Sequence, residues 1–172
     1  MMKNTIKFIA ACAILAGASG TFASENHAAG HANTHAPSDT PIGKVGVASQ
    51  VTRTVAVDMV DAMRFTPAAI QAKKGETIRF VVRNSGQLPH EFVLGTPQDL
   101  KAHNEAMQAN PEMAHMADNM LTVKPGETGE MVWQFTHAGT VTFACLQPGH
   151  YDAGMKGRIT VSANPKIKAK KE

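Results

Sequence analysis

The amino-acid sequence predicts an all-β fold, a β-sandwich or barrel built from short strands. Three observations favour this class. Runs of β-branched and aromatic residues are short and are separated by regular turn signals. The chain contains 14 Gly and 9 Pro but only 5% aromatic residues, which is more typical of a sheet-and-turn protein than of a helical bundle. A length of 172 residues suits one domain with flexible or processed ends and excludes a large multidomain enzyme.

The strands are predicted from local patterns of hydrophobic residues. Hydrophobic and polar residues alternate from Val51 to Met59, as they do in a strand with one buried face. Denser β-branched and aromatic runs indicate strands that are buried more completely. The predicted strands are, in order, Val51 to Met59, short strands in the run through Phe65 and Ile70 towards Lys73, Ile78 to Val82, His90 to Leu94, Met120 to Val123, Glu130 to Phe135, Thr140 to Ala144 and Arg158 to Val161.

Turn residues separate these runs, and one segment departs from the β pattern. Gly and Pro dipeptides such as Pro125-Gly126 mark turns between strands. Residues 97–119 are rich in Ala, Gln, Glu, Met and Lys, and Thr96-Pro97 supplies an N-cap followed by proline at the first helical position. We therefore predict a helical insertion around residues 97–119, broken near Asn110-Pro111.

The ends of the chain differ in composition from its middle. Residues 1–23 read as a cleaved signal peptide, with Lys3 and Lys7 before an apolar stretch and a small-residue cleavage site. An uncleaved anchor would need about 20 apolar residues, more than this stretch has. A lipid-modified Cys12 is a weaker alternative. Residues 24–44 are predicted to be a flexible His-rich tail, and residues 164–172 a Lys-rich tail.

Export through a signal peptide has two consequences. It places the mature protein in the periplasm, without stable membrane insertion, and it removes Cys12, so that Cys145 is the one cysteine left. No intramolecular disulfide can then form, and a lone thiol in an oxidising compartment is expected to be buried or bound to a metal.

The charge distribution argues against a nucleic-acid partner. The formal net charge is +3, but much of the basic excess lies at the two ends of the chain. Between Val45 and Ser162 there are ten Lys and Arg against eleven Asp and Glu. A near-neutral body lacks the basic surface that nucleic-acid binding needs.

The most informative segment is a loop between the last two predicted strands, which contains Cys145, His150 and Met155. A thiolate, an imidazole and a thioether together favour a soft or borderline metal ion, copper above all. Blue-copper centres use two His and one Cys with a weak axial Met, and His90 can supply the second imidazole. Taken singly, these residues could be core or surface residues. Their joint spacing favours the metal site.

The chain resembles the cupredoxin family of small blue-copper proteins from about Val51 to Ser162. The matching segments are Phe65-Thr66-Pro67, Lys74-Gly75-Glu76-Thr77, Asn84, Pro89-His90-Glu91-Phe92, Lys124-Pro125-Gly126-Glu127 and the Cys145 to Met155 loop. The resemblance implies a cupredoxin-like Greek-key β-sandwich over residues 45–163, a monomer, with one type 1 copper bound by His90, Cys145, His150 and axial Met155. Glu91 departs from the Asn that is common after the first His ligand, which leaves the hydrogen bonding of the Cys145 sulfur open.

Further His and Met residues suggest secondary copper binding. His27, His31 and His35 recur every four residues in the predicted tail, and imidazole binds Cu(II) well near neutral pH. Cleavage after Ser24 would also place His27 third in the mature chain, where it could bind Cu(II) together with the amino terminus. A second group of His and Met residues lies in the predicted helical insertion. The helical spacing of its Met residues could bring their thioethers together to hold Cu(I), or these residues could form an apolar face packed on the sandwich. The residues of this second group are His103, Met107, Met113, His115, Met116 and Met120.

These features give two functional hypotheses. The His- and Met-rich segments make the chain resemble the periplasmic copper-tolerance cupredoxins, the CopI-like group, which implies copper tolerance through copper binding and Cu(I)/Cu(II) cycling. The alternative is a soluble electron carrier that serves a redox partner protein. An enzyme is not expected, because a complete type 1 ligand set leaves no open position for substrate.

Overall fold

A computed structural model describes residues 38–109 and 117–163. Within these ranges the chain forms short strands and one α-helix. They follow the predicted order, but a short strand at Lys44–Val45 precedes the predicted ones, and the run through Phe65 and Ile70 forms two strands that lie in different sheets. The elements are β1 (Lys44–Val45), β2 (Arg53–Val60), β3 (Arg64–Thr66), β4 (Ala69–Lys73), β5 (Thr77–Asn84), β6 (His90–Gly95), α1 (Pro97–Ala109), β7 (Met120–Val123), β8 (Thr128–Gln134), β9 (Gly139–Ala144) and β10 (Lys156–Ser162).

The strands form two sheets of five strands each. One sheet has the order β1-β8-β5-β2-β3 and the other the order β4-β10-β9-β6-β7. Strand β2 pairs in parallel with β5, and β4 pairs in parallel with β10, whereas the other neighbours are antiparallel. Neighbours within a sheet are therefore mostly distant in sequence, as in a Greek-key sandwich. The predicted all-β sandwich class is confirmed.

Alternating burial along the strands builds the core between the sheets. In β4, Ile70 and Ala72 are buried while their neighbours are exposed, which is the period of two expected for a half-buried strand. Strand β6 is buried along its whole length. Aromatic rings pack edge-on or tilted in the centre, with the Phe92 and Phe143 ring centroids 5.2 Å apart.

The sequence analysis placed the start of the domain at Val45, but packing against the sandwich begins before this residue. Ile42 is buried, and its carbonyl accepts a hydrogen bond of 2.8 Å from Trp133 Nε1. Gly43 has a φ of 106°, and a Cβ atom there would lie 2.1 Å from the Gln134 carbonyl oxygen. Residues 40–43 therefore belong to the packed domain. The predicted segments 1–23 and 164–172, and residues 24–37 of the predicted tail, lie outside the described residues.

Helix α1 confirms the helical insertion but is shorter than residues 97–119. Thr96 caps it, because its Oγ1 accepts a hydrogen bond of 3.1 Å from Asp99 N, and Pro97 occupies the first helical position. The helix ends at Ala109, and residues 117–119 form a turn in which Asn119 Nδ2 donates to the Leu94 carbonyl at 2.6 Å. In the described part of the chain, no helix has the length and apolar character needed to cross a membrane.

The loop between β5 and β6 is held by one fully buried amide, Asn84. Its Nδ2 donates to the carbonyls of Leu88, at 2.8 Å, and Val123, at 2.9 Å. Its Oδ1 accepts a hydrogen bond of 2.9 Å from Gly86 N. The three bonds fix the backbone that leads into His90, so the start of β6 depends on this side chain.

We predict that Asn84→Ala destabilises the copper-free protein by about 3 kcal/mol, since each lost hydrogen bond costs roughly 1 kcal/mol. Urea unfolding followed by the fluorescence of Trp133 measures the loss. Ser85→Ala is the matched control, because the Ser85 side chain donates an exposed hydrogen bond to Asp58, which the variant loses, while the backbone bond from Ser85 N to the Met59 carbonyl is kept. Equal stability of the two variants would show that Asn84 does not hold the loop.

Candidate metal centre

Two adjacent strands and one loop position the candidate ligands. His90 is the first residue of β6, and Cys145 directly follows β9. These two strands pair antiparallel, with Val93 opposite Ala144, so the start of one lies beside the end of the other. His150 and Met155 lie in the loop that connects β9 to β10. The topology therefore brings residues separated by 55 positions to one end of the sandwich.

The His and Cys ligand atoms converge. One ligand atom each of His90, Cys145 and His150 lies within 4.8 Å of the others. Cys145 Sγ is 3.3 Å from His150 Nδ1 and 3.9 Å from His90 Nδ1, and the two imidazole centroids are 4.9 Å apart. His90 and Cys145 are fully buried, whereas His150 is half-buried. His150 is thus the route from this site to the surface.

The loop folds back on itself and brings Met155 beside Cys145. His150 N donates to the Gln147 carbonyl at 3.0 Å, and Met155 N donates to the His150 carbonyl at 3.0 Å. Cys145 N then donates to the Met155 carbonyl at 3.1 Å, which closes the loop. The Met155 side chain is fully buried. The four residues that the sequence analysis singled out as ligands therefore lie near one another.

Two positive-φ glycines let this loop turn. Gly149 has a φ of 81° and precedes His150, and Gly154 has a φ of 89° and precedes Met155. Residues with a Cβ atom rarely adopt this left-handed backbone conformation, whereas glycine does so readily. The two glycines therefore allow the sharp turns that place His150 and Met155 in one loop.

Hydrogen bonds also define the surroundings of the Cys145 sulfur. Glu91 N donates to Cys145 Sγ at 3.3 Å, and the Glu91 carboxyl group accepts a hydrogen bond of 2.9 Å from Gln147 Nε2. Glu91 is buried. The sequence left open which group bonds to the Cys145 sulfur. In the structure Glu91 does so, and it joins β6 to the ligand loop through both its backbone and its side chain.

The electrostatics of the site favour a metal over a free thiolate. Burial raises the pKa of the Cys145 thiol to about 11, against the hydrogen bonds from the backbone at Glu91 and Gln147. Burial also lowers the pKa of His150, and the neighbouring His90 lowers it further. Without a metal, the sulfur is protonated and the His150 imidazole is neutral at pH 7. A dry site with two imidazoles, one thiol and a buried Met fits copper.

Sequence reasoning missed a carboxylate at this site. Asp61 Oδ1 lies 3.0 Å from His90 Nε2, on the side of the ring opposite the ligand nitrogen. The backbone N–H of Gln87 lowers the pKa of Asp61, and the contact with His90 lowers it further, so the group is ionised at neutral pH. Nothing in the sequence marks this residue, because it lies in an ordinary turn 29 positions before His90.

The predicted secondary copper residues are only partly described. Met107 is buried on α1, His103 is half-buried there, and Met120 packs against the small apolar cluster of Val93, Leu100, Ala144 and Leu146. Among the described residues, His, Cys, Asp and Glu ligand atoms converge in groups of three or more only at the His90 site. The other predicted residues, His27, His31, His35, Met113, His115 and Met116, lie outside the described ranges.

The high pKa of Cys145 predicts a pH-dependent copper affinity. The thiol must release its proton before sulfur can bind copper, so the apparent affinity should rise about tenfold per pH unit between about pH 7 and 9. His150 adds nothing to this slope, because its lowered pKa leaves it neutral there. Competition against a chelator of known pH dependence measures the slope, and Cys145→Ser should abolish it. A flat wild-type profile would mean that the thiol is already ionised.

Comparisons with known proteins agree with this geometry. Residues 51–162 match the family model of copper binding proteins, plastocyanin/azurin family. The copper-resistant cuproprotein CopI of Rubrivivax gelatinosus is 47% identical over 164 residues, which cover 93% of this chain and 99% of that protein. The CopI of Pseudomonas aeruginosa is 36% identical over 148 residues, which cover 69% of this chain and 81% of that protein.

A solved structure is similar over most of its length. Auracyanin B aligns with a TM-score of 0.59 and 27% identity, covering 73% of this chain and 99% of that chain. The family match and the converging ligands agree on copper as the cofactor. The chain therefore belongs to the plastocyanin/azurin family of copper-binding proteins, the cupredoxins.

Proposed function

We propose that this cupredoxin is a periplasmic copper-tolerance protein that binds copper and cycles it between Cu(I) and Cu(II). In this proposal, His90, Cys145, His150 and Met155 would hold the copper ion through two imidazoles, a thiolate and a thioether. The observation that carries the proposal is 47% identity over nearly the whole chain to a protein described as copper-resistant. The compared region covers 93% of this chain, so it extends beyond the sandwich.

The surroundings of the ligands suit one-electron chemistry, which is what copper supplies when it is bound. Both His90 and Cys145 are fully buried, and Glu91 N holds the sulfur. A ligand set held this firmly can serve two oxidation states with little rearrangement. The half-buried His150 gives an electron a short path to or from an external redox partner.

Several finer points of the proposal rest on the sequence. The leader-like residues 1–23 support export to the periplasm. Four protein ligands leave no open coordination position for a substrate, which supports binding and electron exchange over an enzymatic reaction. We further propose that the protein acts as a monomer.

The second candidate function is electron transfer between respiratory or other oxidoreductase partners. The burial pattern favours it, since one ligand reaches towards the surface while the rest of the site is dry. In this case the His- and Met-rich segments would contribute nothing to function. The two candidates therefore differ in the use of those segments.

Deletion of the gene in the source organism should increase its sensitivity to copper. A wild-type copy should restore growth, and a Cys145→Ser copy should not, because the serine hydroxyl cannot replace the thiolate ligand. His137→Ala is the matched control, since His137 is exposed and pairs with Asp39 at 3.4 Å, a contact outside the proposed ligand set. Growth curves over a copper series provide the measurement. Unchanged copper tolerance of the deletion strain would contradict the proposal.

A copper titration of the mature protein separates the two candidates. We expect the thiolate-to-Cu(II) charge-transfer band to saturate at about one copper per chain, with further uptake after saturation. Deletion of residues 25–36, or replacement of Met107, Met113, Met116 and Met120, should remove the further uptake and leave the band unchanged. Elemental analysis gives the total copper. Saturation without further uptake would favour the electron carrier, and absence of the band would contradict the type 1 site itself.

A further inference from the structure

Asp61 makes a contact with the proposed copper site that its position in the sequence does not suggest. We propose that Asp61, through its hydrogen bond to His90 Nε2, fixes the tautomer of that imidazole and shifts the copper centre towards Cu(II). The inference rests on the proposed redox function and adds a positioning residue to it. Asp61 touches a ligand and never the metal, so it would act through His90.

The β2–β3 hairpin holds Asp61 in place. Val60 pairs with Arg64, so the turn consists of residues 61–63, and Met63 N donates to the Val60 carbonyl at 3.0 Å. Met63 has a φ of 56°, in the left-handed region that glycine usually occupies in such three-residue turns. When a residue other than glycine is held in this backbone conformation, its surroundings fix the turn strongly.

The loop before β6 closes around the Asp61 carboxylate. Gln87 N donates to Oδ2 at 2.7 Å, and Leu88 N donates to Oδ1 at 3.2 Å. A Cβ atom on Gly86 would lie 2.1 Å from Oδ1, so this approach requires glycine. With His90 Nε2 at 3.0 Å, the carboxylate meets three hydrogen-bond partners on one segment of chain.

The chemistry of this contact decides which imidazole nitrogen faces the sulfur. An ionised carboxylate only accepts hydrogen bonds, so Nε2 of His90 must carry the hydrogen. Nδ1 then presents its lone pair, and Nδ1 is the atom that lies 3.9 Å from Cys145 Sγ. A carboxylate behind a ligating imidazole also makes the ring a stronger donor, which favours the more highly charged Cu(II).

A purely structural role for Asp61 makes different predictions. The two backbone N–H groups would suffice to hold the loop, and the contact with His90 would then have no effect on copper. The side chain is 36% exposed, whereas that of His90 is 0% exposed. Asp61 therefore links a fully buried ligand to the surface, and removal of its charge should change the reduction potential of the bound copper.

The test is the reduction potential of the copper-loaded mature chain for wild type, Asp61→Asn and Asp58→Asn. Asp58→Asn is the matched control, because Asp58 lies on β2 three residues before Asp61 and accepts a hydrogen bond of 2.6 Å from Ser85 Oγ, not from a ligand. We expect Asp61→Asn to weaken Cu(II) relative to Cu(I) about tenfold. For one electron, this equals a rise of about 59 mV. Asp58→Asn should cause a clearly smaller rise.

A second readout uses the metal-free protein. The ¹⁵N chemical shifts of the His90 ring at pH 8 should show the Nε2–H tautomer in wild type. Asp61→Ala removes the acceptor and should give a mixture of both tautomers. If Asp61→Ala does not fold, Asp61→Asn retains the shape of the side chain, and faster solvent exchange of the Nε2 hydrogen then reports the weakened bond.

The outcomes separate this inference from the proposed function. Equal potentials for Asp61→Asn and Asp58→Asn, or no change in either, would overturn the role of Asp61 while the wild-type copper band remains. Absence of the band in wild type would instead overturn the proposed type 1 site. The tautomer of His90 in the metal-free chain would still show whether Asp61 sets it.

Discussion

The pairing of β6 with β9 is the contact on which the copper site depends. It places the beginning of one strand beside the end of the other, so His90 and Cys145 become neighbours at the same end of the sandwich. Strand β6 is buried along its whole length and β9 is buried at the end that leads into Cys145, and Phe92 and Phe143 pack against each other two residues away from these ligands. The site therefore inherits the rigidity of the core, while the loop to β10 adds His150 and Met155.

Polar side chains then fix what the strand pairing leaves free. Asn84 holds the loop that enters β6, Glu91 joins that strand to the ligand loop through Gln147, and Asp61 contacts the outer nitrogen of His90. Asn84 bonds to backbone groups, Asp61 bonds to backbone N–H groups and to His90, and Glu91 bonds to the side chain of Gln147. This arrangement matters energetically, because a buried thiol and two imidazoles without such support would be free to rotate away from a common point.

Burial differs among the ligands of the site. Cys145 and His90 are shielded from water, which keeps the unloaded thiol protonated and the site dry. His150 is half-buried and lies in the loop, so it connects the same site to the surface. A function that combines firm copper binding with electron exchange needs both properties.

The sequence by itself determined the fold class, most of the strands, the capped start of α1 and the residues His90, Cys145, His150 and Met155. Those features depend on local periodicity, turn residues and ligand chemistry, all of which are written in short stretches of chain. It did not reveal that Ile42 packs under Trp133, or that Asp61 and Gln147 surround the ligands. Those contacts join residues that lie far apart in sequence, so only the tertiary structure, through strand order and burial, could decide them.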